Sequence, residues 1–394
     1  MKKIGIATLH YGYNEGAILQ AYCLSRYLSS LTGLQTEILD HRYPGKVKLY
    51  GPPADQRKRA LLDSVENWLP ISDRRFDCDD LAESQEYANS TYSTFVVGSD
   101  QVWSLDFSKS LFGRWRQRNP FFPRFPNLYW PGDHWCKNRV AFAPSVGQFN
   151  WLSLPRRILR DMGRRLDLFS LISFRDNHTY SFLEAVSSDI AGRAVKVPDP
   201  TFFHSVLDAK VKRDCELMLD ERGVDLSRPK VGVIAGKSKL VSEIAVILQK
   251  RGLQVIAVSY PQEDINLGLD REWICPLKWA NLLGLFDVIV TDRMHASIYA
   301  ILNETPVFAI DTNLRVPGET TKIEDLFLDF DRVDFCKPMK ALNASLVVNE
   351  VEQLLAEPWD WSAIDSIAVQ RRREALPFNE GLLSISQGNN HISG

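Results

Sequence analysis

Residues 286–310 read FDVIVTDRMHASIYAILNETPVFAI. The segment opens on Val288-Ile289-Val290 and closes on Pro306-Val307-Phe308-Ala309-Ile310, two apolar runs of the kind that fill buried parallel strands. Between them Ile298, Ile301 and Leu302 recur at helical spacing, with Thr291 or Asp292 ahead of them to cap the helix. Strand, helix and strand in that order predict a βαβ unit. Asp292, Arg293 and His295 then stand where a strand ends and a helix begins, at the carboxyl edge of a parallel sheet, where open α/β folds bind ligands. Free N–H groups and the positive end of the helix dipole favour an anion there, and Arg293 adds a guanidinium fork suited to phosphate or carboxylate. His295, one turn in, is a candidate proton donor. The structural alternative is that Arg293 pairs with Asp292 and His295 only packs.

The rest of the chain extends the same alternation on both sides. At 394 residues with 45% hydrophobic content it is long enough for two globular domains. A net charge of −2 carries no polyelectrolyte signature, so nucleic acid is not expected as a partner. The start, MKKIGIATLHYGYN, reads as a first strand and not as a signal peptide, and no run of about 18 apolar residues follows. A cytoplasmic protein is expected, at most peripheral at the inner membrane face. Cys23, Cys78, Cys136, Cys215, Cys275 and Cys336 are scattered with no C-x-x-C pair, which predicts free thiols, no zinc site and no other metal site.

In the first half, Ile4-Gly5-Ile6-Ala7 is a predicted strand that runs through His10–Gly16 into a helix ending near Leu31. Gly12 and Gly16 are expected to let the backbone approach a ligand at that helix start, although the dinucleotide pattern G-x-G-x-x-G is absent. Residues 44–90 read as a basic loop with irregular helices and no chemistry. Thr94-Phe95-Val96-Val97 is a buried strand followed by Asp100 and Gln101, again at a carboxyl edge; Asp100 is a candidate base, or else a helix cap. Residues 105–138 hold Trp115, Arg116, Arg118, Phe121, Phe122, Arg124, Phe125, Tyr129, Trp130 and Trp135 without clear periodicity. They are expected to form an elaborated loop over the site that meets a sugar or a lipid headgroup, or else a small satellite core. Leu171-Ile172-Ser173-Phe174 precedes Arg175, which repeats the arrangement of Arg293. Pro198-Asp199-Pro200 punctuates the chain near an expected domain boundary at 204.

In the second half, Val231–Ala235 and Val255–Val258 are predicted strands around Gly236-Lys237-Ser238. This is no P-loop, because Val231 stands where the first glycine belongs, but Lys237 remains a candidate anion contact. A second domain over 205–360 is followed by a helix to about Ala375 and a polar tail, together 361–394. Two strand-helix domains with ligand-facing edges predict a cleft between them.

Several of these segments, taken in order, resemble the polysaccharide pyruvyl transferase family: Asn14-x-Gly16-Ala-Ile-Leu-Gln20-Ala-Tyr22, Val97-Gly-Ser-Asp100-Gln101-Val-Trp103, Ala143-Pro-Ser145-Val-Gly147, Ile172-Ser-Phe-Arg175, Pro198-Asp-Pro-Thr201, Val290-Thr-Asp-Arg293-Met-His295 and Lys322-Ile-Glu-Asp-Leu326. The resemblance implies two Rossmann-like α/β domains facing a cleft in a GT-B-like architecture. It implies transfer of pyruvate from phosphoenolpyruvate onto two hydroxyls of a glycan sugar as a ketal, with no cofactor beyond that donor. Within it His295, Arg293 and Asp100 are the expected catalytic residues, and Arg175, Asn14, Gly16, Gln20, Gln101, Ser145 and Lys237 the expected substrate contacts. Met294 stands where the family often has Phe, and Ser104 where it often has Asn. The acceptor is expected to be a glycan, lipid-linked or nucleotide-linked; the sugar and the oligomeric state are not legible. Two other readings stay open: a GT-B glycosyltransferase using a nucleotide sugar, for which Glu324-Asp325 would serve as the ribose-binding acid, and a repurposed anion-binding relative without catalysis.

Overall fold

The computed structural model describes residues 3–78, 81–105, 107–109, 115–117, 124–135, 138–270, 272–313, 316 and 318–387. Trp115 and Arg116 are described in backbone only, and Arg118, Phe121, Phe122 and Cys136 lie outside the described residues.

Strands β1 (Lys3–Ala7), β2 (Gln35–Arg42), β3 (Ile71–Asp77), β4 (Tyr92–Asp100), β7 (Asn138–Pro144), β8 (Leu171–Phe174) and β9 (Val195–Lys196) form one parallel sheet in the order β3-β2-β1-β4-β7-β8-β9. Between β4 and β7, β5 (Phe107–Lys109) and β6 (Trp115–Gln117) pair as a short antiparallel ribbon. The second sheet holds β10 (Lys230–Ile234), β11 (Gln254–Ala257), β12 (Leu267–Gly268), β13 (Val288–Thr291), β14 (Val307–Asp311) and β15 (Cys336–Pro338), all parallel, in the order β12-β11-β10-β13-β14-β15. Both are doubly wound, and their switch points fall between β1 and β4 and between β10 and β13. A crevice opens outside the carboxyl ends of the strands at such points. The expected α/β class with two Rossmann-like units is the observed one.

The central strands are apolar along their whole length because helices cover both faces: Val231, Val233 and Ile234, like Val288, Ile289 and Val290, are buried. β3 departs from the expected loop. Its Asp73, Arg74 and Arg75 are exposed at the sheet edge and only Ser72, Phe76 and the neighbouring Cys78 are buried, so the apolar alternation that reveals a strand is thin there. The helix Gln56–Trp68 before it is regular and capped by Asp55, whose Oδ1 accepts from Lys58 N–H at 2.7 Å.

The end of the chain also differs from expectation. The helix Trp361–Glu374 is followed by another, Leu376–Gln387, which buries Phe378 and Leu382 in the core of the first sheet with Ile6, Leu24 and Phe142. Pro377 in its first turn is compatible with a helix start, and what was expected to be a polar tail opens with a second helix. Within 105–138, Leu128, Tyr129, Trp130 and Trp135 are buried beside Trp103, and the Tyr129 hydroxyl donates to His41 Nε2 at 2.6 Å. These aromatic residues are buried, and they join the core of the first sheet with Phe95, Val97 and Ala141 instead of forming a separate satellite. None of the described helices is long and apolar enough to cross a membrane.

Candidate active site

A cleft of about 360 Å³ lies between the two sheets at the carboxyl ends of β1, β4, β10 and β13. Tyr11, Asn14, Lys46, Asp100 and Gln101 line it from the first half of the chain, and Tyr260, Arg293, His295 and Lys322 from the second. A larger open groove of about 630 Å³ runs past Lys3, Gln35 and Ile71 at the amino ends of the first sheet's strands and carries none of the strand-end groups, so the chemistry belongs to the smaller cleft.

Asp100 is set by the backbone of β4. Gly98, two residues earlier, has φ 125° and lies so close to β7 that a Cβ there would come 2.1 Å from the Phe142 carbonyl oxygen. Asp100 itself has φ 68°, a conformation few residues other than glycine adopt, and its carbonyl accepts from Val102 N–H and Ser145 N–H, each at 2.8 Å. Its side chain faces Arg175 at the end of β8. Arg175 donates from Nη2 to Asp100 Oδ1 at 2.8 Å and from Nη1 to Asp199 Oδ2 at 2.7 Å, with 1% of its side chain exposed. Burial would push the Asp100 carboxyl up, but the charges of Arg175, His295 and Lys322 hold it well below the usual carboxylate range. Asp199 is shaped likewise: burial works against ionisation, and His295 and Arg175 beside it hold its carboxyl down at about 2.

His295 enters from the helix Met294–Leu302 and is buried. Its Nε2 lies 3.5 Å from Asp199 Oδ2, too long for a good hydrogen bond, and Nε2 has no hydrogen-bond partner among the described residues. Across the cleft, the imidazole packs on Gly16, where a Cβ would come 2.4 Å from His295 Cβ and 2.6 Å from Nδ1. Gly16 therefore makes room for His295, and its backbone also lines the cleft. Arg293 is the N-cap residue of its helix without a side-chain capping bond; Thr291 accepts its N–H instead, at 3.0 Å. Its Nε is 3.0 Å from Asp292 Oδ1, its guanidinium lies 4.7 Å from the centre of the Tyr260 ring, and 45% of the side chain is exposed at the cleft. Asp292 is fixed in turn by Gly236 N–H, 3.0 Å from Oδ2.

Of the residues expected from the sequence, Asp100, Gln101, Asn14, Gly16, Arg293 and His295 line this cleft. Four others do not serve as expected. Arg175 gives both terminal nitrogens to carboxylates, so it is a strut beneath Asp100 and no open anion fork. Gln20 is buried, donating to Thr8 Oγ1 and Leu9 O at 2.9 Å and accepting from Ser99 Oγ at 2.6 Å. Ser145 is fully buried and its Oγ accepts from Gly147 N–H at 3.0 Å. Lys237 points outward to Glu263. Asn14 is also the cap of the helix Glu15–Thr32, accepting from Ala17 N–H at 3.2 Å.

Sequence reading missed Lys46, Lys322 and Tyr260 at this cleft, and Asp199 behind it against Arg175 and His295. Lys46 sits in a segment that offered no motif. Lys322 and Asp199 lay inside quoted motifs but read as helix start and proline turn, and the only available signal was the strand-loop-helix rule that had singled out Arg293.

A family model for polysaccharide pyruvyl transferases matches residues 14–313. The chain belongs to that family. No curated protein matches it in sequence. Among solved structures, UDP-GlcNAc 2-epimerase from Neisseria meningitidis bound to UDP-GlcNAc aligns at TM-score 0.55 and 10% identity, covering 98% of this chain and 100% of that one. The UDP-GlcNAc 2-epimerase of Methanocaldococcus jannaschii in complex with UDP-GlcNAc and UDP aligns at 0.54 and 10%, covering 96% and 100%. The wall teichoic acid polymerase TagF aligns at 0.48 and 10%, covering 98% and 89%. At these identities the likeness to the two epimerases is one of fold, and the fold is GT-B-like.

Proposed function

We propose that the cleft transfers the pyruvate unit of phosphoenolpyruvate onto two hydroxyls of a glycan sugar as a ketal, releasing phosphate, without a further cofactor. The observation that carries this reading is the convergence of Arg293 and His295, neighbours on one helix start, with Asp100 from the other sheet, in a family of pyruvyl transferases. Arg293 supplies a planar fork to one anionic group of the donor. His295, its Nε2 without a hydrogen-bond partner among the described residues, gives a proton to the CH₂ carbon of the enol, which leaves C2 electrophilic. The first acceptor hydroxyl bonds to C2 and its proton passes to the imidazole of His295, which restores the acid for the next turnover. Departure of phosphate and attack by the second hydroxyl close the ketal, with the second proton leaving on phosphate. Asp100 is a weak proton acceptor, since Arg175 holds its carboxyl so far down; its part is to accept a hydrogen bond from the attacking hydroxyl and aim it at C2. The glycan, lipid-linked or nucleotide-linked, and any peripheral membrane contact belong to this proposal.

The nucleotide-sugar alternative loses its acid. Asp325 accepts from Asn177 N–H and Asn177 Nδ2, both at 2.7 Å, and is buried, while Glu324 closes the capping box with Thr321. Calorimetry with phosphoenolpyruvate and with UDP-sugars, followed by phosphate release on adding hexosides with a free 4,6-diol or a vicinal diol, tests the reading. Phosphoenolpyruvate binding with acceptor-dependent phosphate release is expected. Binding of a UDP-sugar without binding of phosphoenolpyruvate overturns it.

A further inference from the structure

The first-sheet wall of the cleft carries a segment with almost no core of its own. β2 ends at Arg42, and the short helix Pro44–Tyr50 follows it over the carboxyl edge of the sheet. None of its residues is buried, and Val47 and Leu49 face solvent. Its C-terminal end is tied down by aromatic rings. Tyr50 packs edge-to-face with Tyr11 and Tyr13, ring centres 6.2 and 5.5 Å away, and the Tyr13 hydroxyl donates to Gly51 O at 2.9 Å. Gly12 has φ 136°, and a Cβ there would come 2.8 Å from Tyr50 Cε2, so the ring is seated on bare backbone. Tyr11 is fixed as firmly: the Arg42 guanidinium, bound to Asp40 at 2.9 and 3.1 Å, lies 4.3 Å from the centre of its ring.

Tyr11 and Tyr50 both line the cleft, and both are half-buried. Neither hydroxyl has a hydrogen-bond partner among the described residues, whereas that of Tyr13 beside them does. Gln101 likewise lines the cleft with its side-chain amide unpartnered among those residues, and Asn14 uses Oδ1 as a helix cap but not Nδ2. Lys46, one turn ahead of Tyr50, also lines this wall, and the Asp100 carboxylate bears on its charge. The facing wall is ionic, with Arg293, His295 and Lys322. A donor with two anionic groups is drawn to that wall. Rigid rings with uncommitted neutral polar groups around them suit instead a sugar, which offers an apolar C–H face and many hydroxyls.

We infer that Tyr11 and Tyr50 form the subsite for the acceptor sugar. A hexopyranose rests its C–H face on the tyrosine pair, the two phenols and the Asn14 and Gln101 amides take its hydroxyls, and the diol is presented beside Asp100. This rests on the ketal-transfer reading given above and names the acceptor contacts that reading leaves open. The aromatic platform expected within 105–138 thereby moves to residues 11 and 50, since Tyr129, Trp130 and Trp135 are buried.

The test compares the wild type with Tyr50→Leu and with the double variant Tyr11→Phe, Tyr50→Phe. Saturation-transfer NMR with methyl hexopyranosides bearing a free 4,6-diol measures sugar binding, calorimetry measures phosphoenolpyruvate binding, and a thermal melt accompanies both. Leucine keeps an apolar contact with Gly12 but no flat ring; the double variant keeps both rings and loses only the hydroxyls. Sugar affinity should weaken roughly ten- to hundredfold in Tyr50→Leu and roughly tenfold in the double variant, the loss of neutral hydrogen bonds with and without the ring face. Acceptor KM should rise with it, because these contacts are made in ground and transition states alike, while phosphoenolpyruvate affinity stays that of the wild type. Unchanged sugar binding in either variant overturns the inference, and so does a parallel loss of sugar and phosphoenolpyruvate in the double variant. A wild type that binds phosphoenolpyruvate but none of the hexopyranosides overturns the subsite and leaves the donor reading intact. A wild type that binds a hexopyranoside through these tyrosines but no phosphoenolpyruvate overturns the donor reading and leaves a sugar subsite.

Discussion

Arg175 and Asp100, 75 positions apart in the chain, meet at 2.8 Å between Nη2 and Oδ1, and the second Nη of the same guanidinium is taken by Asp199 at 2.7 Å. The site therefore has a buried ionic floor, on which the groups that face the cleft are mounted. Replacing Arg175 by Ala leaves the buried carboxylates of Asp100 and Asp199 without the cation that hydrogen-bonds both. The unfolding free energy should drop by about 3–5 kcal/mol, as when one partner of a buried ion pair is removed. Chemical denaturation measures this. Unchanged stability with loss of phosphoenolpyruvate binding alone would return Arg175 to the list of substrate contacts.

Arg293 differs in kind, being half exposed and only partly engaged by Asp292. Arg293→Lys keeps the charge but cannot present two parallel N–H donors to one oxyanion group. Phosphoenolpyruvate affinity should weaken by a factor on the order of 10–100 with the melting temperature preserved. Wild-type-like affinity in this variant would remove Arg293 from the donor site.

His295→Gln should still bind phosphoenolpyruvate and lose turnover by a factor on the order of 10²–10⁴, the usual contribution of a positioned general acid. Gly16→Ala offers a second route to the same group. Alanine is the better helix former by about 1 kcal/mol, so an innocuous site would gain stability. Here the added methyl meets His295 Cβ at 2.4 Å, and the imidazole must shift. Turnover should fall with no gain in melting temperature; a more stable and fully active Gly16→Ala protein would show that His295 needs no such seat.

Asp325 has its carboxyl pushed up to about 6, first by burial and then by Asp176, against the hydrogen bonds from Thr320 and Asn177. Its folded pKa lies above the unfolded value of about 4, so the fold favours the protonated acid. The stability this provides is fully present below pH 4 and is lost as the pH rises to about 6. The loss should be on the order of 2–3 kcal/mol. Asp325→Asn cannot ionise. The difference in unfolding free energy between wild type and this variant, followed from pH 4 to 7, should therefore move in favour of the variant and level off above pH 6. Because the buried Asp199 and Asp100 are common to both proteins, their opposite acid dependence cancels. A difference that stays flat across the window would mean that Asp325 is ionised at no cost.

Local order was written plainly in the chain. The apolar runs Val288–Val290 and Val307–Ile310, with a helical repeat between them, can be accommodated only as strand, helix and strand, and that pattern repeated along the chain dictates two parallel sheets and a ligand edge on each. Asp100, Arg293 and His295 could be named because a residue just past a strand must stand at that edge. The sequence could not reveal which polar groups the fold would consume. Arg175 and Arg293 occupy equivalent places after their strands, yet one is sealed by Asp100 and Asp199 and the other opens to the cleft, a difference made by residues more than twenty positions away. Gln20, Ser145 and Gly16 look like ligand contacts in a motif because a motif records that a residue type is required, whether by a ligand or by a neighbouring side chain. Lys322 shows the converse: read from the sequence as a helix start, it lines the cleft between the sheets, a place that exists only once the two sheets face each other.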